Sequence, residues 1–194
     1  MIRLYANKKD CCGCATCMSI CPTGAITMEC DPDGYVFPEI NPQVCRDCGV
    51  CKEVCVFQKP PSGSRTPIAT YAAINKAKGV LAYSASGGVF AALASLVLEN
   101  GGVVFGCAYG RDMRPEHICV DTAEDIKKLQ GSRYVQSYVD TAYVEAKQHL
   151  EKGRYVLFTG TPCQIAGLRS YLGEDFKNLI TADIVCHGVP NASF

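Results

Sequence analysis

Two copies of one cysteine pattern dominate the first part of the chain. The spacing C-x2-C-x2-C-x3-C occurs at residues 11–21 and again at residues 45–55, and ten of the fourteen cysteines lie within the first 55 residues. The start of the chain lacks the apolar stretch and small-residue cleavage site of a secretory signal. Cysteines of a chain that is not exported serve metal or redox chemistry more often than disulfides. The pattern therefore predicts a metal or redox centre.

The spacing is that of bacterial two-cluster ferredoxins. Three cysteines at intervals of three place their sulfurs on a tight loop around one face of an iron–sulfur cube. The fourth cysteine, on a short helix, ligates the other cluster in two-cluster ferredoxins. The pattern therefore predicts two [4Fe–4S] clusters with crossed ligation. The first would be held by Cys11, Cys14, Cys17 and Cys55, and the second by Cys45, Cys48, Cys51 and Cys21.

Zinc is the alternative reading of paired C-x2-C units. A zinc site uses two such pairs per metal, however, and gives no role to the third and fourth cysteine of each repeat. Cys12 is an extra thiol beside two predicted ligands, and we interpret it as a residue that fills space. Cys30 lies in a turn and is not expected to be a ligand.

The composition divides the chain into two domains. The stretch KPPSGSRTP at residues 59–67 reads as a linker. Residues 1–58 are predicted to form an α+β two-cluster ferredoxin-like domain, and residues 68–194 an α/β domain with a largely parallel sheet. In the second domain we expect strands at 70–75, 102–109, 116–121, 154–160 and 178–186, a helix at 86–100 buried on most sides, and helices at about 141–152 and 162–172.

Three segments of the second domain suggest a ligand site. SASGG at residues 84–88 opens a helix, where free amides can approach a phosphate. GSRYVQS at 131–137 is a polar loop with a cation and an aromatic ring. GTPCQ at 160–164 follows a strand and enters a helix, and ligands of open α/β sheets sit at such carboxyl ends. Each signal is weak alone.

Together with the preceding ferredoxin pattern, these segments resemble the family of coenzyme F-420 hydrogenase/dehydrogenase beta subunits. The resemblance rests on SASGGVFAALASLVLENGGVVFGCAYG, LQGSRYVQS, GTPCQIAGL and ADIVCHGVP. It implies that the α/β domain binds FAD. By analogy the flavin contacts would be Ser86, Gly87, Gly88, Gly131, Ser132, Arg133, Tyr134, Gly160, Thr161, Pro162 and Gln164.

The resemblance also implies a third cluster beside the flavin, with Cys163 and Cys186 as two of its ligands. Family members are typically about twice as long, so the chain is expected to be an N-terminal part in which flavin pocket and third cluster are incomplete. Two alternatives for Cys163 stay open: a buried structural thiol, or a nucleophilic pair with His187. His117 and His149 read as ordinary surface or helix residues, and Cys107 and Cys119 as core residues.

The resemblance implies an iron–sulfur flavoprotein oxidoreductase. FAD would exchange two electrons with a small donor, a deazaflavin in the best-known relatives, and the clusters would pass single electrons to a partner redox protein. The alternative is a ferredoxin-type carrier without flavin, whose α/β half is a docking surface. Nineteen basic residues balance nineteen acidic ones, which gives no sign of a nucleic-acid partner. The apolar run 89–98 is too short to span a membrane, and we expect a cytoplasmic protein.

Overall fold

The N-terminal part consists of short helices around one hairpin. The computed structural model describes residues 2–60 and 66–191. After a 3-10 turn at Lys8–Asp10, β1 and β2 pair antiparallel, with Ile26 opposite Ile40. Asp31 shapes the hairpin turn, since its carboxylate accepts the backbone N–H groups of Asp33 (3.1 Å) and Tyr35 (2.9 Å). The elements are α1 (Thr16–Ile20), β1 (Ile26–Cys30), β2 (Val36–Ile40) and α2 (Val50–Glu53).

The second part is a four-stranded sheet with helices on both faces. The strand order is β4-β3-β5-β6, in which β3 pairs parallel with β5 and β5 parallel with β6, while β3 and β4 are antiparallel. The sheet is thus mixed, with parallel pairing in two of its three strand pairs. The elements are α3 (Lys78–Leu81), α4 (Val89–Glu99), β3 (Val103–Tyr109), β4 (Pro115–Val120), α5 (Ile126–Leu129), α6 (Ala142–Glu151), β5 (Val156–Gly160), α7 (Pro162–Leu172) and β6 (Leu179–Asp183).

Alternating residues of the central strands build a core on each face of this sheet. Phe105 and Phe158 stack at 5.5 Å between ring centroids and pack with residues of α6 and α7. On the opposite face Val104 and Leu157 pack against α4 and α5. All four side chains are fully buried. Both faces of the central strands are therefore covered, as their continuous apolar sequence predicts.

The ferredoxin-like part packs on the face that carries α6 and α7. Ala15 belongs to the same buried cluster as the core residues of that face. The hydroxyl of Ser170 on α7 donates to the carbonyl of Val54 at 2.8 Å. The side-chain amide of Gln136 pairs with the backbone of Val36, accepting its N–H at 2.9 Å and donating to its carbonyl at 3.3 Å. These bonds fix the hairpin against the α/β part.

The sequence-based expectation fails at the beginning of the α/β part. Residues 70–75 were expected to form a strand, but they have no regular secondary structure, and Tyr71 and Ile74 are exposed. Helix α4, expected to be buried on most sides, is not, because Val89 and Leu96 are 47% and 54% exposed. Residues 61–65 of the expected linker lie outside the described residues.

Two smaller features of the chain complete the fold. Asp125 directly precedes the first residue of α5, and the hydroxyl of Thr122 accepts the N–H of Asp125 at 3.3 Å. Among the helices of the described residues, none is both long and apolar enough to cross a membrane.

Candidate iron–sulfur and flavin site

The two cysteine repeats fold into loops of the same shape. The residue two positions after the first cysteine of each repeat, Gly13 or Asp47, has positive φ (65° and 54°), and so does the residue before each short helix, Ala15 or Gly49 (61° and 82°). These left-handed residues turn the backbone amides of each loop toward its cysteine sulfurs. The N–H of Gly13 points at Cys11 Sγ (3.5 Å), and that of Asp47 at Cys45 Sγ (3.4 Å). Both loops thus direct amide donors at a sulfur, which stabilises a thiolate.

The four cysteines predicted for the first cluster line one cavity. Leu4 and Phe57 also line it. Four sulfurs around one cavity and an apolar wall are what a thiolate-bound iron–sulfur cube requires. The residues present therefore fit this group. The four cysteines are Cys11, Cys14, Cys17 and Cys55.

Burial and mutual repulsion oppose ionisation of these thiols in the bare protein. Burial and, to a smaller extent, the neighbouring Cys14 and Cys55 together raise the pKa of Cys11 to about 11. Burial, followed by the charges of Cys14 and Cys11, raises the pKa of Cys17 well above its usual range. Thiolates gathered here need positive charge to offset them, which the iron of a bound cluster would supply.

The cysteines predicted for the second cluster are also drawn together. Burial raises the pKa of Cys51, and the nearby Cys48 and Cys21 raise it further. Cys21, from the first repeat, therefore lies beside the second set, as crossed ligation requires. Its own pKa is lowered: partial burial opposes this, but hydrogen bonds from Thr23, Ala25 and Gly24 outweigh it. Within residues 2–60 and 66–191, no three His, Cys, Asp or Glu side chains are arranged to hold a single metal ion.

Cys12 is not an isolated space-filling residue. It lines the same cavity as the first set of cysteines. Its thiol lies close to those of Cys14 and Cys163, and both neighbours raise its pKa. The Cys12 thiol is in turn the largest influence on the pKa of Cys14 and of Cys163, and it lowers both. Sequence reasoning missed this contact, because only the tertiary fold brings α7 to the first cysteine loop.

The third-cluster candidates occupy equivalent positions after neighbouring strands. Gly160 and Asp183 are paired at the ends of β5 and β6, and Cys163 and Cys186 each follow three residues later. Cys163 Sγ lies 3.0 Å from the Thr161 hydroxyl. Cys186 Sγ accepts the backbone N–H of Gly188 at 3.4 Å, a bond of the type seen at Cys11 and Cys45. Cys163 thus lies beside Thr161 and Cys12, which gives no support to a pair with His187.

The other cysteines divide by exposure. Cys30 ends β1 and is exposed. Cys107 and Cys119 were expected to be core residues. They lie on β3 and β4 with intermediate exposure, so neither is fully buried. Burial raises the pKa of both, that of Cys119 to about 11.

Two of the three predicted flavin segments meet at the carboxyl end of β5. The amide of Gln164 donates to Ser137 Oγ at 2.9 Å, and its carbonyl oxygen accepts the N–H of Thr161 at 2.9 Å. The glycine turn at 84–88 is tied to the same region through Gln130, whose side chain reaches the hydroxyl of Ser84 at 3.5 Å. The predicted residues of the second loop, Gly131, Ser132, Arg133 and Tyr134, follow directly after Gln130.

Contacts within the chain explain part of the sequence signals at 84–88 and 131–137 without any ligand. A β-carbon on Gly87 would collide with the carbonyl oxygen of Ala73, and Gly88 has φ of 73°, so both positions require glycine without any ligand. Ser86 is exposed. The guanidinium of Arg133 donates to the carbonyls of Lys128 (2.7 Å), Gly131 (2.8 Å) and Gln130 at the end of α5. Arg133 thus stabilises its own loop.

His117 is buried, which the sequence-based expectation of a surface residue misses. Its Nε2 donates to the carbonyl of Thr159 (3.1 Å), which leaves Nδ1 to accept from Ser137 (3.3 Å). Burial lowers the pKa of His117 to about 4, so the ring is neutral near pH 7. It joins the 131–137 loop to β5. His149 lies on α6 as expected.

Comparison with known proteins agrees with this organisation. Residues 4–27 match the model of a 4Fe-4S binding domain, and residues 70–144 that of the coenzyme F420 hydrogenase/dehydrogenase beta subunit, N-terminal part. The iron–sulfur domain match thus precedes the match to this α/β part along the chain. The chain belongs to the family of coenzyme F420 hydrogenase/dehydrogenase beta subunits, as the resemblance predicts.

Three known proteins are similar to parts of the chain. The chain is 30% identical over 173 residues to the coenzyme F420-dependent sulfite reductase of Methanocaldococcus jannaschii, covering 82% of this chain and 24% of that protein. It is 26% identical over 180 residues to a subunit of the F(420)H(2) dehydrogenase of Methanosarcina mazei, covering 82% and 47%. A chain of the F420-reducing [NiFe] hydrogenase complex from Methanosarcina barkeri superposes with a TM-score of 0.42 at 29% identity, covering 50% of this chain and 34% of that one. The chain thus spans less than half the length of either curated relative.

Proposed function

We propose that the chain is an electron-transfer module with two [4Fe–4S] clusters and an FAD site. The observation that carries the proposal is the single cavity lined by three cysteines of one repeat and Cys55 of the other. The second set, with Cys21 beside Cys48 and Cys51, repeats the arrangement. Both relatives that cover most of this chain are named for F420 chemistry, so a deazaflavin is the proposed two-electron donor and a partner redox protein the acceptor.

The protein's own residues would bind the clusters, tune them and keep water out. Backbone amides of Gly13 and Asp47 point at ligand sulfurs, and the apolar side chains of Leu4 and Phe57 limit access. Amide hydrogen bonds and burial are the features that set the potential of such clusters. When bound, the clusters supply one-electron transfer and the flavin the change between one and two electrons.

The α/β domain would hold the flavin at the carboxyl ends of β3 and β5. The proposed contacts are those expected from the resemblance, in the segments 86–88, 131–134 and 160–164. Hydrogen bonds that link Gln164, Ser137 and His117 join the loop after the second segment to the third segment. We propose residues 1–58 and 68–194 as the two domains, and the cytoplasm as the location.

A ferredoxin-type carrier without flavin is the second candidate. It is favoured by two of the predicted flavin contacts that the chain itself explains: a β-carbon on Gly87 would collide with the carbonyl oxygen of Ala73, and the guanidinium of Arg133 donates to the carbonyl of Lys128. In this case the α/β part would serve as a docking surface for the redox partner. Flavin content separates the two candidates, because the carrier needs none.

The test is the content of iron, acid-labile sulfide, zinc and flavin in anaerobically purified protein. About eight irons with equal sulfide per chain, together with one FAD, is the expected result. Eight irons without flavin after reconstitution with FAD would favour the carrier. Zinc without sulfide would refute electron transfer. About twelve irons would indicate a third cluster that includes Cys163 and Cys186.

A further inference from the structure

A glutamine side chain of the α/β domain binds the backbone of the ferredoxin-like hairpin. Gln136 lies in the loop between α5 and α6. Its side-chain amide accepts the N–H of Val36 at 2.9 Å and donates to the carbonyl of the same residue at 3.3 Å. Val36 is the first residue of β2, so both bonds join the two parts of the chain. One side chain thus bonds a backbone donor and a backbone acceptor together, as a neighbouring strand does.

The same amide lies against the first cysteine loop. A β-carbon on Gly13 would collide with the side-chain nitrogen of Gln136 and would lie 2.6 Å from the carbonyl oxygen of Val36. Gly13 therefore has no room for a side chain, and its φ of 65° also favours glycine. The N–H of Gly13 points at Cys11 Sγ at 3.5 Å. The backbone of one residue thus separates the Gln136 amide from a predicted cluster ligand.

Hydrogen bonds within the α/β part hold the backbone from which this side chain extends. The N–H of Gln136 donates to the carbonyl of Pro190 at 3.0 Å. The next residue, Ser137, donates to His117 at 3.3 Å and accepts from Gln164 at 2.9 Å. The Gln136 side chain is therefore presented from a fixed position, as a positioning role requires.

We propose that Gln136 is a positioning residue of the first cluster. By holding Val36 against Gly13, it keeps the Gly13 N–H directed at the ligand sulfur of Cys11 and thereby raises the reduction potential of that cluster. Reduction adds negative charge to a cluster and its thiolates, and an amide donor at a ligand sulfur stabilises that charge. Without the Gln136 amide the loop relaxes and this bond weakens. The inference rests on the cluster assignment proposed above.

The test compares Gln136→Met, Gln136→Ala and Gln148→Met. Methionine keeps a long side chain without the amide, alanine removes both, and Gln148 is exposed on α6. Iron content and an EPR-monitored redox titration would be measured on each full-length, cluster-loaded variant. All three should retain about eight irons. Both Gln136 variants should lower the equilibrium constant for reduction of one cluster by about threefold, which is about 28 mV for a one-electron couple, while Gln148→Met should keep the wild-type potentials.

Amide hydrogen exchange measures the two bonds to Val36 independently of the potential. The N–H of Val36 loses its acceptor in Gln136→Met, so its exchange should become about tenfold faster or more. Mass spectrometry of the peptide that contains Val36 would detect one faster amide. Gln148→Met should exchange at the wild-type rate.

Four results would overturn the inference. Wild-type potentials in both Gln136 variants would show that this side chain does not act on the cluster. A shift in Gln136→Ala but not in Gln136→Met would assign the effect to filled space instead of hydrogen bonds. Equal shifts of both clusters would indicate a general loosening of the ferredoxin-like part. Unchanged exchange at Val36 in Gln136→Met would show that the bonds do not protect it. A wild-type protein without iron and sulfide would refute the proposed function itself, so the two failures are distinguishable.

Discussion

The hydroxyl of Thr16 occupies the space that a β-carbon on Gly167 would need. The hydroxyl of Tyr143 lies 2.8 Å from the same position. Thr16 begins α1 of the cysteine loop, and Gly167 lies in the middle of α7. The absence of a side chain at Gly167 therefore lets the cysteine loop approach the backbone of the α/β domain. This close approach also places Cys163 beside Cys12.

Gly167→Ala should destabilise the protein, although alanine favours a helix over glycine by about 1 kcal/mol. The added methyl group would overpack a buried contact, at a cost of about 1–3 kcal/mol. Anaerobic urea denaturation of the cluster-loaded protein would measure the change. Gly79→Ala is the control, since a β-carbon there meets nothing within 4 Å.

A second variant identifies the cause of this loss. Thr16→Ala removes the hydroxyl nearest to the new methyl group. In that background the cost of Gly167→Ala should be smaller by at least about 0.5 kcal/mol. Equal costs in both backgrounds would show that Thr16 is not the colliding group.

Crossed ligation predicts opposite results for two double variants. Cys21→Ala with Cys48→Ala removes two ligands from the same proposed cluster, so about four irons per chain should remain. Cys55→Ala with Cys48→Ala removes one ligand from each cluster and should leave few irons. Iron and sulfide analysis measures both. If the two double variants gave the reverse result, each repeat would hold its own cluster with all four of its cysteines.

The buried His117 should make stability depend on pH. Its pKa is about 4 in the folded protein, whereas an unfolded histidine has a pKa of about 6.5. Between these values only the unfolded chain takes up the proton, so the free energy of unfolding should fall as the pH drops, by up to roughly 3 kcal/mol in total. Urea denaturation between about pH 7.5 and 5.5 would show the upper part of this loss.

His117→Gln should flatten that pH dependence, because the titrating group is gone. His149→Gln is the comparison: burial and Arg154 also lower the pKa of His149, but its ring is only partly buried, so the flattening should be smaller. Equal slopes in wild type and His117→Gln would contradict the assignment.

Tyr143→Phe should cost about 1 kcal/mol. The hydroxyl of this fully buried residue donates to the carbonyl of Gln164 at 2.8 Å. Phenylalanine keeps the ring contact with Phe158 (5.7 Å between centroids) and loses only the hydrogen bond. Tyr143→Ala would also empty the core and should cost about 3–5 kcal/mol. Urea denaturation measures both variants. Similar losses of unfolding free energy would contradict this separation of the hydrogen bond from the packing of the ring.

Local sequence determined most of the regular structure. The prediction of α7 at 162–172 is confirmed, because its signals are local: the side chains of Thr161 and Gln164 cap it reciprocally, Pro162 begins it and Gly173 ends it with φ of 71°. The β3, β5 and β6 strands are also confirmed, with ends that differ from the predicted ones by at most three residues. Their apolar runs could only be buried in a covered sheet.

The cysteine spacing determined the shape of both loops. A C-x2-C-x2-C loop needs left-handed residues at fixed places, and these are Gly13, Ala15, Asp47 and Gly49. Such constraints act within a few residues, so the sequence alone contains them.

Tertiary structure alone decided the rest. The sequence around His117 does not show that Thr159 and Ser137 would enclose it. The apolar residues within 70–75 predict a strand, yet no neighbouring strand pairs with this segment among the described residues. Cys12 acquires its partner from α7, about 150 positions later in the chain. Burial and contact between distant segments depend on how the elements pack, and no local pattern specifies that packing.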